Sequence, residues 1–128
     1  MRLLLDTHAL IWFFEGNARL SRRARQEIEV GGAEVYVSAV SAFEITIKYR
    51  SGKLPNVAVL AENFVPLMGE YGFEDLPISL RHAQAAGLLP TPHKDPFDRL
   101  LIAQARLEAL TLVSNEARFD AFGVARLW

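Results

Sequence analysis

Cysteine is absent from this sequence of 128 residues. The chain can therefore form neither a disulfide framework nor a thiolate metal site, and its composition is compatible with a reducing cytoplasm. Long uninterrupted apolar runs are missing too. Asp6, His8 and Glu15 interrupt the apolar N-terminal stretch, and no small-residue cleavage site follows it. We therefore expect a cytoplasmic protein with no signal peptide and no membrane span.

A strong net charge is also lacking. The formal charge of −1 argues against a purely electrostatic grip on nucleic acid. One stretch, ARLSRRARQE, nevertheless gathers four arginines, at positions 19, 22, 23 and 25. The simpler interpretation is the solvated face of a helix, and the alternative is a local edge that contacts phosphates.

The rest of the composition is that of an ordinary globular protein. Hydrophobic residues make up 51% of the chain and charged residues 23%, and the length suffices for one buried core. No internal repeat, low-complexity tract or linker divides it. We expect a single domain over residues 1–128.

Short apolar runs alternate with helical patterns along the chain. Ser21 is available to cap the second helix, and Pro66 predicts a kink or an early end in the fourth. Such alternation is typical of a parallel sheet with crossover helices, an α/β fold. The predicted strands are 2–6, 34–38, 74–79, 111–114 and 124–128, and the predicted helices are 7–16, 20–32, 39–53, 57–72, 80–90 and 95–110.

Four acidic residues stand near strand ends or adjacent helix starts: Asp6, Glu44, Asp98 and Glu116. Ligand sites in open α/β sheets lie beyond the carboxyl ends of the strands, so these acids can share one edge. Gathered carboxylates repel one another unless a cation neutralises them, and no run of lysines or arginines stands nearby. A hard divalent cation, Mg²⁺ or Mn²⁺, takes such oxygen ligands and retains waters for substrate. The sequence thus predicts a carboxylate metal site.

Each acid also has a purely structural interpretation. Asp6 can cap the helix that follows it. Ser41 and Glu44 match a capping box, and Glu44 with Lys48 makes a favourable i,i+4 pair. Asp98 is favoured by the helix dipole. The fourth acid can be an exposed turn residue. Only the conjunction of the four favours a shared site.

The smaller polar residues allow two interpretations each. Asp95 is the natural cap of the long helix. Thr7 and Ser38 are either cap hydroxyls, which we favour, or holders of water and carboxylates. Arg99 either meets a phosphate or points to solvent, and His93 shows no metal-ligand spacing.

Trp12, Phe13 and Phe14 place more aromatic bulk on one helix than a single face normally buries. They are expected either to pack in the core or to form a partly exposed partner site.

Four segments together resemble the PIN domain, specifically the toxin ribonucleases of VapBC-type toxin–antitoxin pairs. The resemblance covers essentially the whole chain, in the family's order and spacing. It implies a three-layer α/β/α sandwich around a central parallel sheet and a metal-dependent endoribonuclease that leaves 5′-phosphate and 3′-hydroxyl ends. The segments are LLLDTHALIW, VSAVSAFEI, HKDPFDRLLIAQA and LTLVSNEARFDAFGVARLW.

The same resemblance assigns site residues and partners. It implies that the family's four acids fall on Asp6, Glu44, Asp98 and Glu116, the last being a glutamate where the family usually has aspartate. Asp6 and Asp98 would be the core metal ligands, Glu44 would assist directly or through a water, and Glu116 would complete the pocket. The implied partners are an RNA substrate, a cognate antitoxin and a second copy of the chain.

Other phosphate-handling families fit the sequence poorly. A haloacid dehalogenase needs a second acid where His8 stands, and a phosphate loop needs a glycine where Ile47 stands. The elbow of a serine hydrolase is absent. The rival that remains is a non-catalytic PIN-like module that binds RNA or protein, and metal-dependent cleavage separates the two.

Overall fold

A computed structural model of the chain describes residues 1–30, 32–90 and 93–128. The strands of this described part are β1 (Arg2–Leu5), β2 (Glu34–Ser38), β3 (Glu74–Leu76), β4 (Thr111–Val113) and β5 (Arg126–Leu127). Its α-helices are α1 (Thr7–Glu15), α2 (Arg22–Glu29), α3 (Ala39–Arg50), α4 (Ala58–Glu62), α5 (Phe64–Glu70), α6 (Leu80–Gly87) and α7 (Pro96–Leu107). Two 3-10 helices, Pro55–Val57 and Ala117–Phe122, join them.

The five strands form one parallel sheet in the order β3-β2-β1-β4-β5. β1 is central, and its last residue, Leu5, is in register with Val37 of β2 and Val113 of β4. The residues that follow these three therefore stand level with one another at the carboxyl edge of the sheet. They are Asp6, Ser38 and Ser114.

Apolar side chains cover both faces of the sheet, because successive residues of a strand point to opposite sides. Leu3 and Leu5 pack on one side with residues of α1, α2 and α5, and Leu4 packs on the other with residues of α7. All three leucines are completely buried. The predicted α/β fold, a three-layer α/β/α sandwich with a central parallel sheet, is confirmed.

Several helices and strands are shorter than predicted. The helix predicted over 57–72 breaks at Asn63, between α4 and α5, so Pro66 lies in the first turn of α5 where its missing N–H is not needed. The strand predicted over 74–79 ends at Leu76. The long helix ends at Leu107, and Ala109 turns the chain with a φ of 54°.

Ser21 caps α2 as predicted, accepting a hydrogen bond from the backbone of Ala24. In the arginine cluster, Arg25 pairs with Glu29, whereas Arg22 is exposed. This arrangement fits a solvated helix face, and phosphate contact at this edge stays a prediction. The predicted stop of this helix at Gly31-Gly32 lies partly outside the described residues.

The aromatic residues of α1 differ in burial, and a partner site at this helix stays a prediction. Phe13 is buried in the core against Phe73. Trp12 and Phe14 are half-buried, Trp12 packing edge-on against Trp128. No helix of the described residues is long and apolar enough to cross a membrane.

A buried hydrogen-bond network connects α7 with the carboxyl edge of the sheet. The side-chain oxygen of Gln104, which is fully buried, accepts a hydrogen bond from the Ser38 hydroxyl. Its amide nitrogen donates to the carbonyl oxygen of Pro77 at 3.2 Å. Ser38 also caps α3 by accepting from the backbone of Val40. Gln104 therefore fixes the junction of β2 and α3, next to Asp6 in the sheet.

Gln104→Leu should lower the free energy of unfolding by about 2 kcal/mol, since the buried Ser38 hydroxyl loses its acceptor. Urea denaturation followed by circular dichroism measures the change. Gln84→Leu, at an exposed position of α6, is the matched control and should stay within about 0.5 kcal/mol of the parent. Equal stabilities for the two variants would show that the network does not stabilise the fold.

Candidate active site

A small cleft of about 160 Å³ opens at the carboxyl edge of the sheet. All four acids that the sequence singles out line it, from four separate segments of the chain. The lining residues are Asp6, Thr7, His8, Glu44, Lys48, Asp95, Asp98, Glu116 and Arg118. Larger grooves lie elsewhere: two of about 420 Å³ are mainly apolar, and one of about 520 Å³ is more polar but contains none of the four acids. The chemistry that the sequence predicts is therefore concentrated in the small polar cleft.

Asp6 is only 6% exposed and stands at the bottom of this arrangement. Its Oδ1 accepts a hydrogen bond from the backbone N–H of Ala9 at 2.8 Å, so it caps α1 as predicted. Burial raises the pKa of Asp6 from 3.8 to about 6, although hydrogen bonds from Ser114 and Ala9 oppose the shift. The nearby charge of Asp98 raises this pKa further. No lysine or arginine of the described residues forms an ion pair with Asp6.

Asp98 lies in the first turn of α7, which Asp95 caps as predicted, accepting from the backbone of Phe97. Oδ2 of Asp98 lies 2.9 Å from Nε2 of His93. Burial raises the pKa of Asp98, and the hydrogen bond with His93 counteracts this effect. The charges of Asp95 and Glu44 raise the same pKa. The surroundings therefore compensate the negative charges of Asp6 and Asp98 only in part.

Glu44 is buried, and its Oε2 forms the predicted i,i+4 ion pair with Nζ of Lys48. The predicted capping box of Ser41 and Glu44 is wrong. α3 begins at Ala39 with Ser38 as its N-cap, so Ser41 already lies inside the helix. The hydroxyl of Ser41 is instead within 3.1 Å of the Thr7 hydroxyl. That contact fastens α3 to the start of α1, and Glu44 is thereby directed into the cleft.

Glu116 is the most exposed of the four acids, at 41% of its side chain. It follows β4, and its Oε2 pairs with Nε of Arg118 at 3.0 Å. Its backbone N–H donates to the Ser114 hydroxyl at 3.1 Å. Ser114 therefore serves two acids, because it also bonds to Asp6.

Arg99 does not take either role considered for it. Its guanidinium donates to the carbonyl oxygens of Ala86, Gly87 and Leu89 at the end of α6, and to that of His93. An arginine has five N–H donors in a rigid fork, which suits it to several carbonyls at once. Arg99 therefore joins the end of α6 to the segment that carries His93, and does not face the cleft.

The sequence did not predict that His93, Ser114 and Arg118 contribute to the site. It predicted the pair of Lys48 with Glu44 but not that Lys48 lines the cleft. Ser114 could have been found, because it is the last residue of a predicted strand, as Asp6 is. His93 and Arg118 make their contacts across turns, whose shape the residue pattern does not specify.

The donor set of the cleft fits a hard divalent cation. Its carboxylate oxygens are the ligands that Mg²⁺ and Mn²⁺ prefer, and the raised pKa values of Asp6 and Asp98 reflect unmet demand for positive charge. Within the described residues, no group of three or more acidic or histidine side chains is already gathered in metal-binding geometry. Three of the four acids instead turn to His93, Lys48 and Arg118. A metal that used these same oxygens would displace their present partners, whereas the second oxygen of each carboxylate is not part of these pairs.

The sequence matches the profile of one protein family, the PIN domain, over residues 3–125. No curated protein matches the sequence closely enough to count as a relative.

Several solved structures share the fold. One is a toxin–antitoxin complex from Klebsiella pneumoniae, with a TM-score of 0.69, 21% identity, and coverage of 98% of this chain and 96% of the other. A second is VapBC2 from Rickettsia felis bound to a promoter DNA fragment, with a TM-score of 0.70, 16% identity, and coverage of 99% and 98%. A third is the sarcin–ricin loop cleaving toxin VapC20 of Mycobacterium tuberculosis, with a TM-score of 0.69, 16% identity, and coverage of 96% of both chains.

Asp6→Asn should stabilise the metal-free protein. The pKa of Asp6 is higher in the folded chain, about 6, than its ordinary value of 3.8, so ionised Asp6 destabilises the fold increasingly as the pH rises through that interval. At neutral pH the cost is about 3 kcal/mol at most. Asparagine keeps the helix cap without the charge. Thermal unfolding in EDTA should therefore show Asp6→Asn melting several degrees higher at neutral pH, with the gap closing below pH 4.

Asp95→Asn is the matched control, since Asp95 is also an N-cap of the cleft but is exposed. It should melt close to the parent. If Asp6→Asn instead melts at or below the melting temperature of the parent at neutral pH, the buried carboxylate does not destabilise the fold.

Proposed function

The chain belongs to the PIN-domain family, and on that premise we propose that it is a metal-dependent endoribonuclease, the toxin of a type II toxin–antitoxin pair. The observation that carries this proposal is the convergence of Asp6, Glu44, Asp98 and Glu116 on one cleft. Carboxylates are rarely gathered at the end of a parallel sheet without a cation to bind. We also propose that residues 1–128 form one domain and that the protein acts in the cytoplasm.

Asp6 and Asp98 would be the core metal ligands, Glu44 would assist directly or through a water, and Glu116 would complete the pocket. The cation, Mg²⁺ or Mn²⁺, would supply Lewis-acid activation of a phosphoryl oxygen and of the attacking water. Asp6 is suited to a fixed position because Ala9 and Ser114 hold its carboxylate. Glu116, as the most exposed of the four acids, is suited to the mouth of the cleft.

The reaction would be hydrolysis of a phosphodiester bond. A water oxygen bonds to phosphorus, and the bond from phosphorus to the 3′ oxygen breaks. The products are a 5′-phosphate and a 3′-hydroxyl. Glu44, which is buried and lines the cleft, would take the proton from the attacking water. His93 orients Asp98 through the 2.9 Å contact.

The proposed protein partners are a cognate antitoxin and a second copy of the chain. An apolar groove of about 420 Å³, lined in part by Phe14, Leu60 and Tyr71, offers a place for an antitoxin segment. Phe43 and Ile47 of α3 are 57% and 47% exposed in the isolated chain. Exposed apolar side chains of this size favour a protein contact, and we propose that a homodimer buries them.

Cleavage of RNA by the purified chain should require Mg²⁺ or Mn²⁺ and should stop on addition of EDTA. Asp6→Asn and Asp98→Asn should each reduce the rate by on the order of 10³-fold, because each removes a ligand of the charge that stabilises the transition state. A gel assay on labelled RNA, with protein freed of any antitoxin, measures this.

Asp95→Asn again serves as control, because Asp95 caps α7 at the rim of the cleft and should leave the rate within a few-fold. If the parent binds RNA without cutting it, the chain is the non-catalytic binding module. If Asp6→Asn cuts as fast as the parent, the catalytic site lies elsewhere.

Metal binding should be visible without RNA. Mn²⁺ at about a hundred times its dissociation constant should stabilise the parent by about 2.7 kcal/mol, because it binds only the folded state. Thermal unfolding with and without Mn²⁺ measures the gain. Asp6→Asn and Asp98→Asn should show none of it. A parent whose melting temperature is indifferent to Mn²⁺ would contradict a carboxylate metal site.

A further inference from the structure

The cleft contains an imbalance of charge that a metal ion alone does not resolve. Five carboxylates line it, against one lysine and one arginine, among the residues that the structure describes. One divalent cation would leave the cleft still negative. An RNA phosphate is itself an anion, so it would approach a surface that repels it. Binding of RNA therefore calls for cations of the chain that are free to meet phosphates.

Lys48 is the first of the two cations. It extends from α3 into the cleft, is 35% exposed, and is paired with Glu44, which is only 8% exposed. This pair has a consequence for metal binding, because Oε2 of Glu44 must give up its bond with the Lys48 ammonium group if that oxygen is to bind a metal. When Glu44 turns to the metal, Lys48 is released at the wall of the cleft.

Arg118 repeats this arrangement on the opposite side. It is paired with Glu116 at 3.0 Å, and its side chain is 65% exposed at the cleft mouth. The segment that carries it follows β4, whereas α3 follows β2, and these two strands flank β1 in the sheet. The two cations thus stand on either side of the strand that ends at Asp6.

We propose that Lys48 and Arg118 are the phosphate-binding residues of the cleft, each paired with a glutamate in the metal-free protein and transferred to an RNA phosphate when that glutamate binds metal. This inference rests on the proposed function. In the metal-free state the two ion pairs limit repulsion among the carboxylates. In the metal-bound state Lys48 and Arg118 contact phosphates of the strand on the two sides of the cleft.

The proposal predicts opposite effects of one substitution on two ligands. Lys48→Met should bind Mn²⁺ about twofold to fivefold more tightly in calorimetry without RNA, because the competing ion pair is gone. The same variant should bind RNA about tenfold more weakly. If Lys48 merely positioned Glu44, its loss would weaken Mn²⁺ binding, and that result would overturn the proposal.

RNA binding is measured by fluorescence anisotropy on a labelled single-stranded RNA of mixed sequence. Ca²⁺ replaces Mg²⁺, and a gel checks that the RNA stays intact. The slope of log affinity against log salt should fall by about 0.7 for Lys48→Met and again for Arg118→Gln, one phosphate contact each. Lys48→Arg keeps the charge and should keep the slope.

Arg50→Met is the control for a lost cation on α3, because Arg50 is exposed and does not line the cleft. Its slope should equal that of the parent. If Lys48→Met and Arg118→Gln behave like Arg50→Met while the parent binds and cuts RNA, this inference alone fails. A parent that binds no RNA overturns the proposed function as well.

Discussion

Asp6 is buried at the end of the central strand of a parallel sheet, where its carboxylate faces other carboxylates across a cleft of about 160 Å³. Two features of the fold produce this crowding. The parallel strands end at a common edge, and their register sets Asp6 level with Ser38 and Ser114. α3, which follows β2, and α7, which precedes β4, then direct Glu44 and Asp98 to the same edge. Burial of these acids costs free energy, which raises the pKa of Asp6 and Asp98.

The surrounding residues limit that cost without removing it. Glu44, Asp98 and Glu116 each have a partner that bears or can bear positive charge, whereas Asp6 has hydrogen bonds alone. A fold selected only for stability would have no reason to keep an ionisable group at the position of Asp6, where asparagine caps a helix equally well. A buried carboxylate with a raised pKa is characteristic of functional sites. For this reason our functional proposal rests on the cleft.

Much of the fold could be predicted from the sequence, because its signals are local. The run RLLLD reads as a buried strand, and β1 is completely buried along Leu3, Leu4 and Leu5. Asp95 and Ser21 were recognisable as caps from their place before a helix. The ends of elements were less predictable. Pro66 predicted a kink, and the helix does break close to it, but the break falls at Asn63, three residues earlier.

The position of the four acids could be predicted in the same way, since strand order in a parallel sheet brings strand ends together. Their individual partners could not be predicted. Arg99 is adjacent in sequence to Asp98, yet it turns to the carbonyl oxygens at the end of α6, because those orphan groups need donors. Gln104 is a helix residue without a recognisable motif, and only the packed structure shows that it meets Ser38.

The central claim is that carboxylates distant in sequence meet around one hard cation. Anomalous X-ray diffraction from crystals grown with Mn²⁺ tests it most directly. The account predicts a manganese peak in the cleft, with oxygens of Asp6 and Asp98 about 2.1 Å away, and Glu44 separated from Lys48. A peak elsewhere, or a cleft without manganese in which Glu44 still pairs with Lys48, would contradict the account.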